Sequence, residues 1–136
     1  MRYSDSARVM LGKASGSYLS ASNDIRNGIF DRAVSSLYYS AFQTVTALML
    51  LRELRSKSHT DVRAYVNRDL VRPGHLSIEL GKMYNRLMDM RSDADYSDSV
   101  TFSKHEVESL AERVKEFNSA VKSIINSDGL ETDSFV

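Results

Sequence analysis

The segment Ala33-Val34-Ser35-Ser36-Leu37-Tyr38-Tyr39-Ser40-Ala41-Phe42-Gln43-Thr44-Val45-Thr46-Ala47-Leu48-Met49 decides the fold. Ala33, Leu37, Ala41, Val45 and Leu48 recur at steps of four and three, the spacing of one helix face. Val34, Tyr38, Phe42 and Met49 widen that stripe around more of the helix circumference. A helix that is apolar on several sides has to be covered on several sides. The spacing therefore predicts the central, most buried helix of an all-α bundle.

Three further stripes flank this segment. Ala7, Leu11, Ala14, Tyr18, Ala21 and Ile25 precede it. Leu76, Leu80, Met83, Leu87, Met90 and Ala94 follow, and then Val107, Leu110, Val114, Phe117, Val121 and Ile124. Their steps of three and four are those of a near-antiparallel seam. A shorter helix carrying Val62, Tyr65, Val66 and Leu70 is predicted between the second and third long ones. The expected architecture is four long helices plus one short helix in an up-and-down bundle. Residues 1–127 form its single domain, and 128–136 form a polar, frayed tail.

The helix ends are marked by local chemistry. Asn27-Gly28 predicts a stop, because glycine enters the left-handed region without penalty. Asp31 is a candidate cap for the second helix. Ser58 can open the short helix, and Pro73-Gly74 separates it from the next. Ser103-Lys104-His105-Glu106 has the spacing of a capping box.

Composition narrows the function classes. There is no cysteine, so disulfides and thiolate metal sites are excluded. Acidic and basic residues balance at 18 each, which argues against strong non-specific binding to nucleic acid but leaves room for a local basic patch. The start lacks an apolar signal segment, and the apolar run from Val45 to Leu51 is too short to span a bilayer, so a cytoplasmic protein without membrane contact is expected.

Four groups of residues are candidates for chemistry. Tyr38 and Tyr39 are adjacent and so point about 100° apart on a helix. One then belongs to the core, and the other to its boundary or to a ligand cleft or dimer interface. His59, His75 and His105 all lie at predicted helix starts, where the helix field favours neutral imidazole. Their spacing fits no metal motif, so neither a metal nor a cofactor is expected. Arg52, Arg55, Lys57, Arg63, Arg68 and Arg72 surround the short helix, as a solvated face or a phosphate-contacting patch. In Arg91-Ser92-Asp93-Ala94-Asp95-Tyr96, Arg91 and Asp95 share one helix face. They read either as a surface ion pair contributing roughly 0.2–0.5 kcal/mol or as a functional place. Carboxylates in a last turn oppose the helix dipole, and local rules are often broken at functional sites.

The stretch from Asp31 to Phe42 resembles the second-helix signature of a small prokaryotic subgroup of the HEPN family. Lys57-Ser58-His59 resembles that subgroup's following loop, and Arg91 to Tyr96 resembles its Arg-x-x-Ala-Asp-Tyr element. The resemblance extends from about Ala7 to Ile125. It implies a homodimer with a cleft between protomers, and a toxin–antitoxin or defence system with a minimal nucleotidyltransferase as antitoxin. It also implies an RNA or nucleotide ligand. Many HEPN proteins are metal-independent ribonucleases that carry an arginine, then four to six residues, then a histidine. Here those places hold Tyr96, Ser97 and Asp98. Tyrosine titrates near pH ~10 and shuttles protons poorly at neutrality. The loose Arg-to-His spacing also occurs at Arg52–His59 and Arg68–His75, both away from the family's location.

Three functions are therefore open. The first is an RNA-phosphate-binding module using Arg91, Lys57, Arg55 and Tyr39. The second is an active ribonuclease using Arg91, Asp95 and Tyr96, with His59 or His105 moving the proton. The third is a structural interaction domain locked by Arg91 and Asp95.

Overall fold

The computed structural model describes residues 2–55 and 58–132. Helix α1 (Arg2–Arg26) leads into α2 (Phe30–Leu51), the short α3 (His59–Tyr65), α4 (Ile78–Tyr96) and α5 (Lys104–Ser127). Among the described residues there is no strand, and the fold is the expected all-α bundle. Helix α2 is its hub and packs on α1, α3, α4 and α5. Ala33, Val34, Leu37, Tyr38, Ala41, Val45 and Leu48 are all fully buried, as their spacing predicts.

By length and composition α2 could cross a membrane, but 56% of its apolar stretch is buried inside the bundle. Its polar core residues are also paired. Ser40 Oγ donates to Ala14 O at 2.7 Å, and Asn118 Nδ2 donates to Ser40 Oγ at 3.0 Å. This small network ties α1, α2 and α5 and satisfies the Ser40 hydroxyl and the Asn118 nitrogen, while Asn118 Oδ1 stays buried without a partner.

The predicted helix ends hold with two exceptions. Gly28, at φ 75°, follows the end of α1, and Ser58 and Ser103 both cap their helices. The Ser103–Glu106 capping box is complete in both directions. Asp31, however, is not the cap of α2. Ile29 holds that place without a side-chain bond, and Asp31 lies in the first turn, where its charge suits the helix dipole. His75 also departs from expectation, since α4 starts only after Ser77.

The short helix is not uniform. After Tyr65 it widens into a π-helical run, Val66–Val71, that side-chain periodicity could not distinguish from α. Gly81 of α4 lies against this run, and a Cβ there would sit 2.6 Å from Val71 Cγ2. Valine is stiff at χ1 and cannot yield easily. Gly81→Ala should therefore destabilise the protein by about 1–2 kcal/mol, because overpacking outweighs the gain in helix propensity. A lowered urea midpoint checks this, and an unchanged or raised midpoint contradicts it.

The tail also differs from expectation as far as Thr132. Leu130 is buried, and its N–H donates to Ile125 O at 3.3 Å. Arg52 holds Asp128 through Nε at 2.6 Å and Nη2 at 3.2 Å. Thr132 adds donations from N–H and Oγ1 to Asn126 Oδ1 at 3.0 and 3.1 Å, so a segment whose composition reads as solvated is tied down. The rest of the expected tail, 133–136, lies outside the described residues.

Candidate functional site

The adjacent tyrosines of α2 divide as their 100° offset requires. Tyr38 is fully buried and Tyr39 half-buried. Their rings meet edge to face with centroids 5.4 Å apart, and Phe42, one turn on, packs against both. These three rings form a platform that runs from the core to the edge of the bundle.

The cap on α3 sets a histidine on that platform. Ser58 accepts from Asp61 N at 3.1 Å and fixes the first turn, whose first residue is His59. The imidazole lies 4.5 Å from the Phe42 ring centroid, and its Nδ1 is 2.6 Å from Tyr38 Oη. Beneath them Tyr84 is fully buried and turns its hydroxyl toward Tyr38 without completing a hydrogen bond.

The last turns of α4 bring Arg91 to the other side. Its Nη2 donates to Tyr39 Oη at 2.7 Å. Its Nε lies 3.0 Å from Asp95 Oδ2, as an ion pair rather than an aligned hydrogen bond. Its Cζ stands 5.6, 5.3 and 5.9 Å from the ring centroids of Tyr38, Tyr39 and Tyr96, within cation–π reach. The Arg91 side chain is 17% exposed and its Nε is buried, so the side chain is sheltered without being sealed off. The carboxylate that opposes the helix dipole at the end of α4 is thus held by an arginine.

The local field sets the protonation states. Burial opposes the charge on Arg91, but the Tyr39 phenol and Asp95 outweigh it and push its pKa up. His59 is shifted the other way. Burial, and then the positive charge of Arg91, hold its pKa below the usual histidine value of 6.5. The site therefore pairs a permanent cation with an imidazole that is neutral at physiological pH.

The remaining sequence candidates are placed less centrally. Tyr96 is 76% exposed, with its ring against Arg91 and otherwise open to solvent. Arg55 is exposed and lines a separate groove with Leu54, Tyr65 and Arg68. Lys57 lies outside the described residues. The basic cluster is not one free patch: Arg52 pairs with Asp128, Arg68 with Asp69, and Arg63 with Asp89. Carboxylates distant in sequence account for two of these pairs, which a reading of the cluster alone could not include. Arg63 does reach the edge of the site, where its charge acts on Tyr38 and Tyr84. His75 and His105 are both exposed. Among the described residues there is no group of three or more His, Asp or Glu side chains placed to hold a metal ion.

From the sequence Phe42 reads as part of the core stripe and of the resembling stretch, and nothing there singles out Tyr84. The signal that joined Phe42 to Tyr38 was their four-residue step. No local signal joined His59 to Arg91, because they lie on different helices.

The fold and this cluster define an all-helical protein whose sheltered arginine, carboxylate and imidazole meet on an aromatic platform. A family model for the HEPN domain matches residues 7–124, and the chain belongs to the HEPN family. It is 34% identical over 101 residues to a UPF0332 protein of Thermotoga maritima, covering 74% of this chain and 76% of that one. It is 28% identical over 130 residues to "Putative toxin MJ0142" of Methanocaldococcus jannaschii, covering 96% and 88% respectively.

Proposed function

We propose that this protein is a toxin-like, metal-independent endoribonuclease in which Arg91 receives the phosphodiester and His59 removes the proton. The meeting of His59 with Arg91 on the Tyr38–Tyr39 platform is the observation that carries this reading. His59 takes the part that a histidine just after Arg91 would otherwise play. In the tautomer that donates Nδ1–H to Tyr38 Oη, Nε2 keeps the lone pair a general base needs. The 2′-hydroxyl of the RNA gives its proton to Nε2, and its oxygen forms a bond to phosphorus. The bond from phosphorus to the 5′-oxygen breaks, and that oxygen takes a proton from solvent. Arg91 balances the charge that builds on the non-bridging oxygens. Asp95 and Tyr39 aim the guanidinium.

The toxin side of the reading draws on the name of the M. jannaschii relative. A homodimer and a minimal nucleotidyltransferase antitoxin complete it. Sedimentation at micromolar concentration and co-purification with such a partner test those two parts.

The decisive assay uses single-stranded RNA with the purified protein in EDTA. Fragments ending in a 2′,3′-cyclic phosphate and a 5′-hydroxyl are expected. Tyr96, standing where nuclease members carry histidine, favours a second reading, in which Arg91 binds RNA phosphate without cleaving it. Intact RNA that is nevertheless bound through Arg91 would select that second reading. Absence of both binding and cleavage ends both.

A further inference from the structure

Tyr39 has a second environment. Its outer side is a wall of a groove of about 520 Å³ between α1 and α2. Lys13 of α1 and Arg32 of α2 also line this groove, with the hydroxyls of Ser17, Ser20, Ser35 and Ser36. Among the described residues no carboxylate lines it. Arg32 is anchored at one end, where Nη2 donates to Asp24 Oδ1 at 3.1 Å, but its side chain remains 69% exposed. Gly16 opens the α1 side, since a Cβ there would meet nothing within 4 Å. The amide of Gln43 bolts the two helices together. In its satisfied orientation the nitrogen lies within donating distance of Ser17 Oγ (2.7 Å) and Lys13 O (3.1 Å) on α1 and of Tyr39 O (3.0 Å) on α2, and shares its two hydrogens among them.

We propose that the α1–α2 groove is a track for the RNA strand whose phosphodiester lies at Arg91, with Lys13 and Arg32 meeting flanking phosphates. This rests on the reading of Arg91 as an RNA-phosphate site. Its chemistry is that of a sugar–phosphate backbone: two cations for charge, and hydroxyls that both donate and accept for phosphate oxygens and 2′-hydroxyls. The groove and the Arg91 site share one side chain. Tyr39 lines the groove and accepts from Arg91 with its hydroxyl, so a strand leaving the groove at Tyr39 comes to the guanidinium. Tyr39 then offers a face for a base as well as a wall.

Fluorescence anisotropy with a labelled oligouridylate tests the track. Lys13→Ala should weaken binding roughly three- to tenfold and flatten the dependence of log affinity on log salt by about 0.7, the loss of one phosphate contact on a single strand. Gly16→Glu places a carboxylate in the groove at a position with open space, and it replaces a helix-interior glycine with a better helix former. It should keep the circular dichroism of the wild type and weaken binding more than Lys13→Ala does. Wild-type affinity in both variants, with Arg91→Ala still weakened, overturns the track and leaves the Arg91 site standing. No binding by the wild type removes the site and the track with it. A changed sedimentation coefficient for free Gly16→Glu makes the groove a protein interface and likewise overturns the proposal.

Discussion

Arg91→Ala lowers the rate of RNA cleavage by about 10²–10³-fold, the size of losing one preorganised charge at a phosphorane. The fold should survive the change. Tyr39 is half-buried and the Asp95 side chain is 28% exposed, so water can take over the contacts that the guanidinium leaves. Helical content and cooperative unfolding are therefore expected to persist. Arg91→Lys keeps the charge but loses the planar fork that reaches Tyr39 and Asp95 together, so it should recover only part of the rate. The informative comparison is between rate and stability. Should Arg91→Ala melt the bundle by several kcal/mol, or cleave RNA like the wild type, the pair is a structural lock and the proposed role is wrong.

Removing the base gives the second large effect. His59→Ala should cost about 10²–10⁴-fold in cleavage, the usual contribution of a positioned proton acceptor. It also strips Tyr38 Oη of its partner in a fully buried place. His59→Gln is the cleaner variant, because it keeps a hydrogen-bonding side chain beside Tyr38 and cannot take up a proton. Both should inactivate, and only the alanine should also destabilise. The pH dependence follows from the lowered pKa of His59. A base must be unprotonated, so activity falls as pH drops through the pKa, and the acid limb of kcat/KM should lie below 6.5. In Arg91→Ala the repelling charge is gone, and the His59 midpoint followed by NMR should move upward. A midpoint that stays in place would detach His59 from Arg91, and full activity in His59→Gln would move the base elsewhere.

The frame of the protein was legible because helix burial repeats along the chain. The stripe from Ala33 to Met49 announced a helix covered on several sides, and α2 is in contact with four others. The Ser58 and Ser103 caps were equally readable, since each requires only residues within one turn. Arg91 and Asp95 were legible as a pair for the same reason. The departures have a common cause as well. The π-helical run beside α4, Leu130 folded back under α5, and the carboxylates that neutralise Arg52 and Arg63 involve partners or geometry that no short window contains.

The sequence alone therefore determined that this is an all-α bundle centred on α2, with an arginine and a carboxylate in register near the end of α4. Only the tertiary structure decided that His59, at the start of a different helix, shares the platform of Tyr38 and Tyr39 with Arg91, and that Tyr39 also walls the α1–α2 groove. Helical periodicity is a local property, set within a few residues by backbone geometry. The meeting of side chains from α1, α2, α3 and α4 is set by how whole helices pack, and each helix carries only its own share of that information.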